Sequence, residues 1–223
     1  MNLIEYPDRD MLAINLANLL AGELKATLLS HDTASIAVPG GTTPGPIFDA
    51  LCAAPLEWDK VMVLPTDERW VTPDDPRSNA RLIREHLLVG RAAEAKFLSL
   101  HGTGAHPEDD LDAIAAQIEP ALPLSVLLLG MGEDCHVASL FPGTPGLAAA
   151  LADDAPALAA MAPAGQPEAR ITLTAPVLDG ALKKHLVILG WEKRDALERA
   201  QSLSPEEAPV QAVLSEMNVH WAV

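Results

Sequence analysis

The stretch LLLGMGEDCHVASLF, residues 127–141, decides the fold. An apolar run that begins at Leu124 rises to Leu129 and breaks at Gly130-Met131-Gly132. Glu133, Asp134, Cys135 and His136 follow at once, apolar residues return from Val137 to Phe141, and Pro142-Gly143 stops them. A short continuous apolar run before a glycine break is how a strand buried on both faces reads. Open α/β sheets bind ligands at the carboxyl ends of their strands. The stretch therefore sets a histidine and two carboxylates at the rim of such a sheet.

Outward from it, the chain alternates. Ala34 to Val38 (ASIAV) and Lys60 to Leu64 (KVMVL) read as further core strands, as do Lys96 to Leu100 and His185 to Leu189. The tail Asn218 to Val223 is a last strand, and Arg170 to Thr174 (RITLT) alternates polar with apolar, the pattern of a strand with one wet face. Between them lie helical patterns. Residues 8–29 carry a ladder of Leu12, Leu16, Leu19, Leu20, Leu24 and Leu28. Pro44 to Cys52 buries Ile47, Phe48 and Leu51. Arg77 to Leu88 follows Asp75-Pro76, an N-cap and first-turn pair. Pro107 to Ile118 starts with three acids, which suit a helix N-terminus. Thr144 to Ala160 is Ala-rich and helical in part, Met161 to Glu168 is a loop, Glu192 to Ala200 is a helix, and Val210 to Leu214 is a short helical segment. This alternation predicts one domain over 1–223, an α/β fold with a mainly parallel, Rossmann-like three-layer sheet and helices on both faces.

Composition narrows the function classes. At 223 residues and 49% hydrophobic, the chain has enough apolar surface for one core. A net charge of -16 argues against nucleic acid or an anionic membrane as partner, since both demand a basic face. It leaves room for a small anionic substrate held by a local cluster of cations and backbone N–H groups. Two cysteines, no basic-apolar leader and no apolar run near the roughly 18 residues of a membrane span predict a cytoplasmic protein.

Four places hold chemistry. Val38 to Gly45 (VPGGTTPG) runs from a strand through Gly40, Gly41, Thr42 and Thr43 into a helix, an arrangement whose backbone N–H groups and hydroxyls can converge on an anion; a plain strand-to-helix turn reads the same way. It is neither a Walker A loop nor a dinucleotide fingerprint. Asp67-Glu68-Arg69 ends a strand, with Arg77, Ser78 and Asn79 just beyond a loop. Asp134-Cys135-His136 offers a histidine as general base, with a nucleophilic Cys135 as the lesser alternative. Arg170 with Thr172 and Thr174 on one strand face, and Lys193 after Gly190, are further cations. No His-x-x-x-His or Cys-x-x-Cys spacing occurs, so no metal site is expected.

Taken in order, these motifs resemble the 6-phosphogluconolactonase family, of the glucosamine-6-phosphate isomerase/deaminase-like superfamily. The matching stretches are VPGGTTPGPIFDAL (Val38 to Leu51), PTDERWVTPDDPRSN (Pro65 to Asn79), LLLGMGEDCHVASLFPG (Leu127 to Gly143) and RITLT (Arg170 to Thr174), with GWEKRDAL and PVQAVL later in the chain. Asp-Glu-Arg at 67–69 and Ala-Ser-Leu-Phe-Pro at 138–142 are similar to lactonases; the deaminases carry Asp-Glu-Tyr and Ala-Phe-Asn-Glu-Pro there. The resemblance implies hydrolysis of 6-phospho-D-glucono-1,5-lactone to 6-phosphogluconate, a step of the oxidative pentose phosphate pathway, by a monomer or homodimer without cofactor. It implies His136 as general base, Asp134 as its orienter or a contact to a sugar hydroxyl, and Asp67 at ring hydroxyls or the water. Gly40, Gly41, Thr42, Thr43, Arg170 and Lys193 are then expected at the phosphate, with Arg69 and Arg77 at the phosphate or the oxyanion. The other readings are an amino-sugar-phosphate isomerase/deaminase and a sugar-phosphate-sensing module. Two departures stand out: Cys135 and Val137 replace the family's usual Gly and Thr, and Val38-Pro39 replace its Ser-Gly-like approach to Gly40, a change expected to lie outside the anion contacts.

Overall fold

The computed structural model describes residues 1–223. Its strands are β1 (Asn2–Glu5), β2 (Ala34–Val38), β3 (Val61–Pro65), β4 (Asp67–Arg69), β5 (Lys96–Phe97), β6 (Val126–Gly130), β7 (Leu158–Met161), β8 (Arg170–Leu173), β9 (Lys184–Leu189) and β10 (Asn218–Ala222). The main helices are α1 (Arg9–Leu28), α2 (Gly45–Leu51), α3 (Asn79–His86), α4 (Leu111–Ile118), α5 (Leu147–Leu151), α6 (Ala175–Asp179) and α7 (Trp191–Ala200).

Seven strands form one wholly parallel sheet in the order β1-β10-β9-β6-β2-β3-β5. The chain builds outward from β2 through β3 to β5, then returns to lay β6 on the other flank of β2. The strand order thus reverses between β2 and β6, and a crevice opens at their carboxyl ends. Alternation along each strand splits the core. Ile36, Val38, Val61, Val63, Val126 and Leu128 pack against Leu12, Leu16 and Leu20 of α1 and against Ile47, Phe48 and Ile83. Ala37, Leu64, Leu127, Leu129, Leu186 and Ile188 face α4, α7 and a second sheet.

That second sheet, β4-β8-β7, is antiparallel and was not expected. Thr66 is its hinge: the chain leaves β3 there, and the Thr66 carbonyl accepts from the Leu173 N–H at 2.9 Å. Several expectations change with it. Arg170–Leu173 has no wet face; all four residues are buried, because β8 is the centre strand under the main sheet. Leu158–Met161 (LAAM) is a strand rather than helix or loop, since the Ala-rich helix already ends at Leu151 and β8 offers this segment an edge. Asn2–Glu5, unassigned in the sequence, pairs with β10. α3 starts at Asn79 with Ser78 as its N-cap, leaving Asp75, Pro76 and Arg77 in the preceding turn. The strand begun at Lys96 stops at Phe97, the segment from Pro209 to Val213 is a 3₁₀ turn, and Leu19 of α1 stays exposed.

One polar chain crosses the core away from the crevice. The Tyr6 hydroxyl lies 2.9 Å from His220 Nδ1, His220 Nε2 lies 3.0 Å from His185 Nδ1, and His185 Nε2 lies 2.7 Å from Glu23 Oε2. Every donor finds an acceptor when both rings are neutral and carry Nε2–H. Burial, helped by the neighbouring His185, pushes the pKa of His220 down to about 3. An unfolded histidine takes its proton near pH 6.5. Between those values the unfolded chain binds more protons, so stability falls as pH falls through that window, by up to about 1.4 kcal/mol per pH unit. Urea midpoints at pH 7.5 and 4.5 are expected to differ more for the wild type than for His220→Gln; equal differences in the two proteins would remove His220 as the cause.

Candidate active site

The crevice holds a cavity of about 240 Å³. Two loops, two strands and two helices converge on it. From the end of β2 come Gly40, Gly41, Thr42 and Thr43; from β4 and α3, Asp67, Arg69 and Asn79; from the loop after β6, His136 and Ala138; from β8, Arg170; from α7, Lys193. Nine of the eleven residues expected from the sequence thus line one space. Asp134 and Arg77 do not.

Asp134 stands behind the histidine. Its Oδ1 lies 2.5 Å from His136 Nδ1 and 3.2 Å from the His136 backbone N–H. A carboxylate accepts, so Nδ1 carries the proton and Nε2 is left without a protein partner on a ring that faces the cavity. The Phe141 ring stacks on the imidazole at 4.0 Å between centroids, with 22° between planes.

Arg77 points elsewhere. Its guanidinium pairs with Asp75 at 2.9 Å and with Glu168, on the exposed side of the loop. Only its carbonyl reaches the site, by accepting from Arg69 Nη1 at 2.7 Å. The expected phosphate or oxyanion role therefore does not fit Arg77: two carboxylates already neutralise its charge.

The Asp-Glu-Arg triplet divides its work. Glu68 is buried and accepts from the N–H groups of Asn79 and Ala80 at 2.7 Å each, from the Arg69 N–H at 2.9 Å and from Ser78 Oγ at 3.1 Å. It ties β4 to the first turn of α3, whose bare N–H groups need such an acceptor. Burial nonetheless raises its pKa above the usual carboxylate value. Asp67 is the carboxylate that reaches the cavity. Its Oδ2 accepts from Ser139 Oγ at 2.5 Å, and its Oδ1 from Thr66 Oγ1 at 3.2 Å and Asn79 Nδ2 at 3.3 Å. Asn79 Oδ1 in turn holds Arg69 Nη1 at 2.8 Å. Gly40 makes room for this: a Cβ there would sit 1.8 Å from Asn79 Oδ1. Its glycine serves the Asn79 amide as much as any anion.

Arg170 is buried, with Nη2 on Gln166 Oε1 at 2.9 Å, Nη1 3.9 Å from Asp67 Oδ2 and Nε without any partner. Burial lowers its pKa while Asp67 opposes the shift; a guanidinium stays protonated regardless. With Arg69 and Lys193 it makes the cavity locally positive inside an acidic protein.

Cys135 adopts the left-handed conformation, φ +66°, at the position where the resembled family carries glycine. That backbone costs a non-glycine residue roughly 1–2 kcal/mol. Its thiol is buried against the Ala196 carbonyl at 3.4 Å, outside the cavity lining, and burial raises its pKa. A thiol so placed is a poor nucleophile. Pro39, expected outside the contacts, does line the cavity. Asn79, Ser139 and Phe141 carry the support that sequence reading did not assign, and no spacing rule would have singled them out.

The family described as glucosamine-6-phosphate isomerases/6-phosphogluconolactonase matches residues 7–221. The chain is 39% identical to a 6-phosphogluconolactonase of Mesorhizobium japonicum, over 97% of this chain and 93% of that one. It is 38% identical to one of Pseudomonas aeruginosa, over 94% and 90%. It superposes on the crystal structure of a 6-phosphogluconolactonase from Shewanella baltica with a TM-score of 0.96 at 31% identity, covering 100% of this chain and 98% of that one.

Proposed function

We propose, from the premise that this chain belongs to the family of glucosamine-6-phosphate isomerases and 6-phosphogluconolactonases, that it hydrolyses 6-phospho-D-glucono-1,5-lactone to 6-phospho-D-gluconate. The observation that carries this reading is a carboxylate-oriented imidazole with a free Nε2 in the same small cavity as three cations and a glycine-threonine loop.

In this reading the phosphate lies on the backbone N–H groups and hydroxyls of Gly40 to Thr43. Arg69, which shares a second groove with Gly41 and Thr42, adds charge there, as does Lys193. Binding the remote phosphate orients the reacting end. His136 Nε2 takes a proton from water as the water oxygen bonds to C1. The carbonyl electrons move onto oxygen, and Arg170, expected from the sequence at the phosphate, is instead assigned to that oxyanion, since it contacts the same Phe141 ring as His136. The carbonyl then re-forms, the bond from C1 to the ring oxygen breaks, and the imidazolium returns its proton to that oxygen as the C5 hydroxyl. Asp134 steadies the charge on the imidazolium, and Asp67 accepts from ring hydroxyls. The step needs no metal or cofactor. In this reading the enzyme acts in the cytoplasm as a monomer or homodimer; its two free cysteines fit a reducing compartment.

The test generates the lactone with glucose-6-phosphate dehydrogenase and follows 6-phosphogluconate through a coupled dehydrogenase. Clear acceleration over the spontaneous rate is expected. Folded protein that gives none would overturn the reading.

A further inference from the structure

Phe141 touches both the histidine and the buried arginine of the site. Its ring stacks on the His136 imidazole at 4.0 Å, and the Arg170 guanidinium carbon lies over the same ring at 5.2 Å from its centroid. The ring is buried, and the chain around it is tightly held. Cys135 and Ala138 both take left-handed conformations, Val137 and Leu140 form a bridge, and Ser139 is pinned by Asp67 and by Thr172 Oγ1. The path from 136 to 141 is therefore a compact loop that folds the phenylalanine back against the histidine five residues earlier.

The imidazole has few other restraints. One hydrogen bond, Nδ1 to Asp134, fixes the tautomer but leaves the ring free to swing about that bond, because Asp134 is itself exposed and carried on the same loop. Phe141 closes that freedom by presenting a flat apolar face. Arg170 is anchored at Nη2 by Gln166, while its Nε has no partner and Asp67 is 3.9 Å away. The ring covers this under-bonded cation, and a guanidinium over an aromatic face is an attractive contact.

We propose that Phe141 is a positioning residue: one ring holds the base so that Nε2 faces the cavity, and holds the buried arginine at a fixed place relative to it. This rests on the lactonase reading for its kinetic arm only. Of the other cations sharing the cavity, neither Arg69 nor Lys193 lies over the ring.

The experiment compares Phe141→Leu and Phe141→Met, which fill the space without an aromatic face, with Phe141→Tyr, which keeps it. Leu and Met are expected to lower kcat by about tenfold to a hundredfold, the scale of a small misplacement of a reacting group, with KM changed less than threefold. Tyr is expected to keep kcat near wild type. NMR of the histidines supplies the arm that does not depend on substrate. In the wild type and in Tyr, the His136 carbon-bound ring protons are shifted upfield by the stacked ring, and the Nδ1–H is slow to exchange. In Leu and Met the upfield shift disappears and the Nδ1–H broadens. Folded Leu and Met variants with wild-type kcat would overturn the proposal, and so would an unchanged Nδ1–H signal. A loss confined to KM would also overturn it, because the ring would then serve only the arginine's grip on ligand. If the wild type does not act on the lactone, the NMR arm alone decides.

Discussion

His136→Ala is expected to lower kcat for lactone hydrolysis by about 10²–10⁴-fold, the contribution of a positioned general base. The reason is geometric. Nδ1 is committed to Asp134, Nε2 is the ring nitrogen that faces the cavity without a protein partner, and no other imidazole lines that space. The carboxylate that does line it, Asp67, already accepts from Ser139, Thr66 and Asn79, so its lone pairs are largely engaged. It cannot readily replace the histidine. KM should move little, since the proposed phosphate site lies at the Gly40 to Thr43 end. His136→Gln makes a useful second variant, as it keeps a polar group and still lacks a base of suitable pKa. A coupled assay corrected for spontaneous hydrolysis checks both. A kcat within a few fold of wild type in either variant would remove His136 from the chemistry.

The parallel sheet was legible because burial on both faces leaves a plain mark: ASIAV, KVMVL and HLVIL are short runs with four apolar residues in five. The antiparallel sheet left no such mark. β7 is Leu-Ala-Ala-Met, whose alanines favour helix, and only pairing with β8 makes it a strand. β1 is four residues at an edge, and its partner β10 lies at the far end of the chain. RITLT looked half-wet because its threonines are polar. In the folded protein Thr172 Oγ1 accepts from the Ser139 N–H, so its hydroxyl is buried and used. The cavity was legible wherever a residue's type suffices, as with a histidine, a glycine-threonine loop or a cation at a strand end. Arg77 shows the limit. Its sequence neighbours are those of a site residue, yet Asp75 and Glu168, ninety-one positions away in the latter case, claim its charge. Asn79, Ser139 and Phe141 act through contacts whose partners are set by tertiary approach alone.

Gly132→Ala is expected to cost about 10²-fold in kcat while leaving the fold intact. An ideal Cβ at 132 would stand 2.2 Å from His136 Nδ1, 2.3 Å from His136 Cε1 and 2.4 Å from Asp134 Oδ1. All three atoms belong to the pair that orients the base, so the added methyl falls on the hydrogen bond itself. The loop cannot easily yield in its place. The Gly132 N–H donates to the His136 carbonyl at 3.0 Å, and the Gly132 carbonyl accepts from the Cys135 N–H at 3.0 Å. Gly132 is not among the glycines with positive φ, so alanine meets no backbone penalty there. The displacement therefore passes to the imidazole and its carboxylate, and a shift of about 1 Å in a reacting group is enough for a loss of that order. KM should stay within a few fold, since the anion loop is untouched. The double variant Gly132→Ala/His136→Ala tests the cause. If the methyl acts only by displacing the base, the double variant loses no more kcat than His136→Ala alone, because groups that act as a unit are not additive. A double variant that falls by the product of the two single losses would show that Gly132 serves the reaction by some route other than the histidine.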